Sequence, residues 1–475
     1  MTGPRRRAAD SPRITPGLDT FRLSRRAALL YAAVAGASVA ACEGSPGPPA
    51  DPEPSTLPEP PGTGNVRVSR DRFTSHAEPN LAVNPRDHRN LLGACIANGE
   101  SGPAIAAYAS FDGGATWRNH GALEDSSNGR DPTVSFDAAG RGYVCANTDD
   151  LHVWRTDDGG RTFAAPVLAT RRHKLDHPWL AADPTPGPRS ATHLYAAWTG
   201  PDNTQLEFAR STNAGRSFQA PRAIDAVRGP DEANFASPML AAGPDGTVHI
   251  VYGVWPSLPR QQLRPEFPAP IRVISSTDNG QTWTQPTQLG IGAMEIRVTP
   301  DTNVPGLPTV VAHRRQPFAA AAFVVRQPGA RYTDIAVCIS DNRRSRWTAP
   351  RLVPRPDDDT IYTQPQLAID ETGRLALSAF AHRRGLVDVV VLLANPGTDR
   401  FGPPAVITSR PFNPEQGEKA SKHGAWWIGD YQGLASAGGT VHPFWNDPRT
   451  GRLEIFTERM LTSRSPTPSL TPTST

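Results

Sequence analysis

The chain has 475 residues, of which 50 are Pro and 41 Gly, with 37% hydrophobic residues and a formal charge of +3. Frequent Pro and Gly suit many short strands joined by turns and exclude a fold built on long helices. The charge does not mark a nucleic-acid binder, because residues 1–41 hold seven Arg and two Asp, a net +5, and leave −2 for the rest.

In chain order, residues 1–41 come first and read as a signal peptide. A basic stretch runs through Ser24-Arg25-Arg26-Ala27-Ala28-Leu29-Leu30 into an apolar run that ends at Ala41. That run is shorter than the roughly 20 apolar residues of a membrane-spanning helix. It resembles the twin-arginine export signal, with Ala28 where that signal carries Phe. Val39-Ala40-Ala41-Cys42 resembles a bacterial lipobox. The resemblance implies cleavage before Cys42, acylation of its thiol and anchoring on the outer face of the cytoplasmic membrane, or secretion without acylation. Residues 42–64 form a Pro-rich tether, too poor in apolar side chains to offset the entropy of ordering. Residues 462–475 are a disordered Ser/Thr/Pro tail of the same kind. The folded domain spans 65–461.

Internal repetition dominates that span. One pattern recurs: Ser/Thr, any, Asp/Asn, any, Gly, any, Ser/Thr, aromatic. Its copies start at Ser110, Thr156, Ser211 and Ser276, with Asp112, Asp158, Asn213 and Asp278 at the third position. They close on Trp117, Phe163, Phe218 and Trp283, and eroded copies end on Trp347 and Phe401. Each residue type has a task in a tight hairpin. The hydroxyl and the Asp/Asn side chain bond backbone N–H groups. Gly takes a positive φ without a Cβ clash. The aromatic pins the register.

This pattern resembles the Asp-box, the bacterial neuraminidase repeat of sialidases and related propellers. The resemblance implies an all-β propeller in which each box joins the third and fourth strands of a blade. The boxes are structural in that family. A second repeat, Pro-x-apolar, sets the blade count. It occurs at Pro79, Pro132, Pro178, Pro238, Pro308 and Pro365, with a seventh equivalent at Asp430-Tyr431-Gln432. Seven blades of four antiparallel strands are expected, with six, as in sialidases proper, as the alternative. The seventh blade has three local strands, so Asn65 to Ser69 is expected to supply its outer strand and close the ring, removing exposed edges.

The residues just before each Pro-x-apolar pattern are expected to ring the channel mouth: Glu78, Asp131, Asp176 with His177, Ser237, Leu307, Gln364 and Asp430. Loops on the same face add Arg383, Arg384, Asp447 and Arg449. Such a mouth, with convergent polar groups, is the default ligand site of a propeller. Trp426 and Trp427 are expected to pack in the core. Cys95 and Cys145 occupy equivalent strand positions, and both a bridge and free buried thiols stay open; Cys338 makes the count odd.

The sialidase resemblance implies three Arg around the substrate carboxylate, an Asp acid/base and a Tyr nucleophile activated by a Glu. The candidate catalytic residues are Asp131, Asp430 and Tyr431. Glu78, Asp176, His177, Arg383, Arg384, Asp447 and Arg449 are candidates for substrate binding. The family's first Arg motif is absent: Glu78-Pro79-Asn80-Leu81 stands in its place. Two functions stay open, an exo-sialidase-type glycoside hydrolase and a non-catalytic propeller that binds an extracellular glycan or an envelope protein. No zinc, phosphate-loop or serine-elbow motif is found, so no metal and no cofactor are expected. The expected state is a monomer that touches the membrane only through its anchor.

Overall fold

The computed structural model describes residues 64–171, 175–186, 192–228, 232–256, 268–293, 295–299, 302–326, 332–340, 346–416 and 427–462. The signal segment, Cys42, most of the tether, Trp426 and all but the first residue of the tail lie outside them.

Seven antiparallel sheets form a ring, a seven-bladed β-propeller with no α-helix among the described residues. Their innermost strands are, in order, Ser75–Val83, Arg130–Phe136, Asp176–Ala182, Glu232–Ala242, Thr309–Ala312, Ile361–Ile369 and Gly433–Ala437. Each lies against the next, and the last returns to the first. Blade 1 continues outward through Leu91–Gly99, Gly102–Ser110 and Arg118–Ala122. Blades 2 to 6 follow the same four-strand order. An extra hairpin, Glu295–Thr299 with Thr302–Pro305, separates blades 4 and 5.

Ring closure uses the two ends of the domain, as the repeat count predicts. In blade 7, Gly433–Ala437, Thr440–Asp447 and Glu454–Thr457 are completed by Val66–Arg67, with Val66 opposite Thr457 and Arg67 opposite Phe456. Asn65 reinforces the seam. Its side-chain amide donates to the Ile407 carbonyl at 3.0 Å and to Glu458 Oε2 at 2.9 Å, and its Oδ1 accepts from Ser409 N at 2.9 Å.

The four repeated hairpins share one geometry. In each, the first hydroxyl accepts from the Gly N–H four residues on, at 2.8–3.0 Å, and donates to the Asp or Asn at position three. That residue's Oδ1 accepts from the backbone N–H of the next Ser/Thr. All four turns join third and fourth strands of blades 1 to 4. They lie at the strand ends opposite the channel mouth, so they brace blades and touch no site there.

Between blades, alternating inward faces make the core. It is rich in Ala on the inner strands and in Trp154, Trp198 and Trp445 further out. Four buried tyrosines keep their hydroxyls satisfied with a carboxylate: Tyr108 with Asp71, Tyr143 with Asp137, Tyr195 with Asp183 and Tyr252 with Asp225. Cys95, Cys145 and Cys338 are free and buried, which decides the open alternative against a bridge.

Candidate functional site

The Pro-x-apolar repeat builds the mouth through a recurring bulge. In blades 1, 2, 3, 4 and 6 the ladder skips two residues of the inner strand, Glu78-Pro79, Asp131-Pro132, His177-Pro178, Ser237-Pro238 and Gln364-Pro365. Pro has no N–H to give the ladder, so the interruption falls there. The residue before each Pro sits in the left-handed region, with φ of 54°, 52°, 46°, 48° and 48° respectively. That conformation is uncommon for a residue with a Cβ and costs on the order of 1 kcal/mol or more. The bulge re-aims the side chain ahead of Pro out of the sheet. The residue after Pro then ties blade to blade: Asn80 Oδ1 accepts from Val134 N at 3.0 Å, and Thr133 Oγ1 from Leu180 N at 3.1 Å.

Five of the expected residues converge here. Asp131 N donates to Glu78 Oε2 at 3.3 Å. His177 reaches Asp176 Oδ1 through Nδ1 at 3.3 Å, and its Nε2 lies 3.6 Å from Asp430 Oδ2 and 3.9 Å from Asp131 Oδ1. Trp427 Nε1 donates to Asp430 Oδ1 at 2.7 Å, so this half-buried ring orients the carboxylate as well as packing. Asn203 and Thr199 hold Asp176 from behind, with Asn203 Nδ2 3.5 Å from Oδ2 and Thr199 Oγ1 donating to the Asp176 carbonyl at 3.2 Å.

The electrostatics follow from burial and crowding. Glu78 is pushed well above the usual carboxylate range by burial and by the charges of Asp131 and Asp430. Asp131 rises to about 6, because burial together with Asp176 and Asp430 outweighs the attraction of His177. His177 lies well above an ordinary imidazole, since Asp176 and Asp131 overcome the cost of its burial. Asp176 falls below its ordinary value as His177 overrides desolvation. The site therefore sets two raised carboxyls, Glu78 and Asp131, beside a lowered one, Asp176, an arrangement that can both donate and accept protons.

The remaining expectations need correction. Tyr431 is 2% exposed, its hydroxyl donates to the Pro132 carbonyl at 3.0 Å, and burial pushes the phenol well above its usual range. Its ring packs edge-on against Trp179. A nucleophile needs an uncommitted hydroxyl and a lowered pKa, and Tyr431 has neither. Asp447 and Arg449 do not face the mouth. They are buried as a pair, with Arg449 also bonded to Asn65 and Ser409 at the seam. Arg383 is half-exposed and pairs with Asp357 at 3.2 Å, and Arg384 is a left-handed turn residue beside it. The structure thus brings no guanidinium of Arg383, Arg384 or Arg449 to the cluster. Leu307 is buried among apolar neighbours instead of lining the channel.

Sequence reasoning also missed a potential ligand set. Asp131, Asp176 and His177 each offer one donor atom within 4.8 Å of the others. They lie on neighbouring blades, so no linear spacing announces them.

No protein-family model matches the chain, and no curated protein does. Solved structures match it in fold. An ulvan lyase, from a new family of polysaccharide lyase, has a TM-score of 0.51 at 8% identity, over 84% of this chain and 96% of its own. A Hadza microbial sialidase has a TM-score of 0.45 at 14% identity, over 78% of this chain and 73% of its own. A leech intramolecular trans-sialidase has 0.47 at 12%, over 69% and 70%. Likeness at such identities speaks to the propeller fold alone.

Proposed function

We propose that this chain is an exported, lipid-anchored Asp-box propeller that binds and hydrolyses an extracellular glycan at its channel mouth. The observation that carries this reading is the convergence of Glu78, Asp131, Asp176, His177 and Asp430, presented from four blades on a backbone that is strained at Glu78, Asp131 and His177. Strain of that kind persists where surroundings over-determine it, and it clusters at functional sites. In this reading Glu78, held protonated, gives its proton to the leaving glycosidic oxygen. Asp430, oriented by Trp427, is the carboxylate that stabilises the positive charge developing on the sugar as the glycosidic C–O bond breaks; water then adds to the anomeric carbon and its proton returns to Glu78. The acylated Cys42 and the tether would hold the mouth outside the cell, as a monomer.

The sialidase variety of this reading requires a Tyr with a free hydroxyl and an Arg clamp. The bond of the Tyr431 hydroxyl to Pro132 and the pairing of Asp447 with Arg449 favour a substrate that is not gripped by its carboxylate. The same two observations favour the second reading, a non-catalytic glycan- or protein-binding propeller.

Turnover of a fluorogenic glycoside panel, with neutral and acidic sugars, separates them. The hydrolase reading expects cleavage of at least one member, with kcat lowered about 10²–10⁴-fold in Glu78→Gln. Binding of glycans without cleavage of any of them would leave the second reading.

A further inference from the structure

The mouth gathers four carboxylates, Glu78, Asp131, Asp176 and Asp430, around one imidazole. Three of these residues have the geometry of ligands to one ion. One donor atom each from Asp131, Asp176 and His177 lies within 4.8 Å of the other two. A single ion bound at about 2.0–2.4 Å spans donors no more than about 4.8 Å apart. Two donors about 2.1 Å from an ion at a tetrahedral angle stand about 3.4 Å apart. Of the His177 contacts, the 3.9 Å between Nε2 and Asp131 Oδ1 is close to that spacing, while the 3.3 Å contact to Asp176 runs through Nδ1, the other ring nitrogen.

A second observation points the same way. His177 Nε2 is buried from solvent and, among the described residues, no group lies at hydrogen-bond distance, the two carboxylates that face it standing 3.6 and 3.9 Å away. An orphaned ring nitrogen of this kind lacks the partner a buried polar atom normally has. Support behind the ligands is also present, since Asn203 and Thr199 fix Asp176. Asp176 is 43% exposed along its side chain, which leaves room for water or a hydroxyl on the solvent side.

We infer that Asp131, Asp176 and His177 bind one divalent transition-metal ion at the channel mouth, with open positions that accept sugar hydroxyls. The hydroxyl role rests on the reading of the mouth as a glycan site; ion binding does not. An imidazole nitrogen with two carboxylates suits Zn²⁺ or Mn²⁺, whereas Ca²⁺ and Mg²⁺ select oxygen-only shells.

The test is calorimetric titration of Zn²⁺, and separately of Ca²⁺, into chelator-stripped full chain, with melting temperature read in parallel. One Zn²⁺ per chain, a raised melting temperature and a Kd weakened at least tenfold in Asp176→Asn and in His177→Gln are expected, with Ca²⁺ binding weaker. Asp176→Asn changes a partly exposed side chain and keeps the test valid if His177→Gln fails to fold. No stoichiometric Zn²⁺ binding, or binding unchanged in Asp176→Asn, would overturn the inference. Glycoside turnover that persists in the stripped protein would sink the metal role and leave the glycan reading standing. Stoichiometric Zn²⁺ binding with neither glycan binding nor turnover would do the reverse.

Discussion

Glu454 of blade 7 holds His76 of blade 1 across the seam of the ring, its Oε2 3.3 Å from the imidazole Nδ1. Asp71 takes the other ring nitrogen at 2.9 Å, and all three groups are buried. Despite the burial, the two carboxylates raise His76 to about 9. His76 therefore contributes stability that is fully present below its unfolded value near 6.5 and is lost as pH rises through about 9. Asp71 and Glu454 are lowered, their bonds to His76 outweighing desolvation, so their contribution is present above the ordinary carboxylate range and fades toward acid. Melting temperature measured across pH should decline from pH 7 to 10. His76→Gln should flatten that decline and cost about 3–5 kcal/mol at pH 7, because buried Asp71 loses its cation and Glu454 is left with Arg67 and Arg452 alone. An equal decline in the variant would refute the seam as its source.

Arg449 gives a second handle on the seam. Its guanidinium pairs with Asp447 and reaches Asn65 Oδ1 at 3.3 Å and Ser409 Oγ at 3.1 Å. Arg449→Ala leaves Asp447 buried and unpaired, so denaturant unfolding should show a loss of about 3–5 kcal/mol. Glycan affinity of the folded fraction should stay as in the parent chain. A variant of full stability that no longer binds glycan would return Arg449 to the mouth.

The repeated hairpins predict small and independent effects. Asp278 accepts bonds from Gln281 N, Thr282 N and the Thr282 hydroxyl. Asp278→Ala should cost about 1 kcal/mol, measured by denaturant midpoint. The equivalent change at Asp112 lies in another blade, and the two losses should add. Neither should alter turnover per folded molecule.

Tyr431→Phe removes one hydrogen bond, to the Pro132 carbonyl. Stability should fall by about 1 kcal/mol, and kcat on any glycoside the protein cleaves should stay within a few-fold of the parent. Abolished turnover with an intact fold would restore Tyr431 as a nucleophile and with it the sialidase-type mechanism.

Much of this architecture is local and so was legible in the chain itself. Each hairpin satisfies its own backbone within a few residues, as Ser276 does with Gly280, so the pattern can be read without knowing what surrounds it. The Pro-x-apolar repeat is local in the same way. In five blades the Pro of this repeat interrupts the ladder, and the residue before it takes a positive φ. Counting these units yields seven blades and leaves the last one short of a strand, which Val66–Arg67 supplies. The mouth residues Glu78, Asp131 and His177 on inner strands, and Asp430 just ahead of one, followed from that register. What tertiary structure alone decided was the state of each polar group. Arg449 and Tyr431 lie near the same strand ends in sequence, yet one is drawn into the seam by Asp447 and Asn65 and the other is covered by Trp179. Asp131, Asp176 and His177 become a set because two blades meet there. Desolvation and charge pairing depend on every neighbour within several ångströms, and in a closed ring most of those neighbours come from other blades.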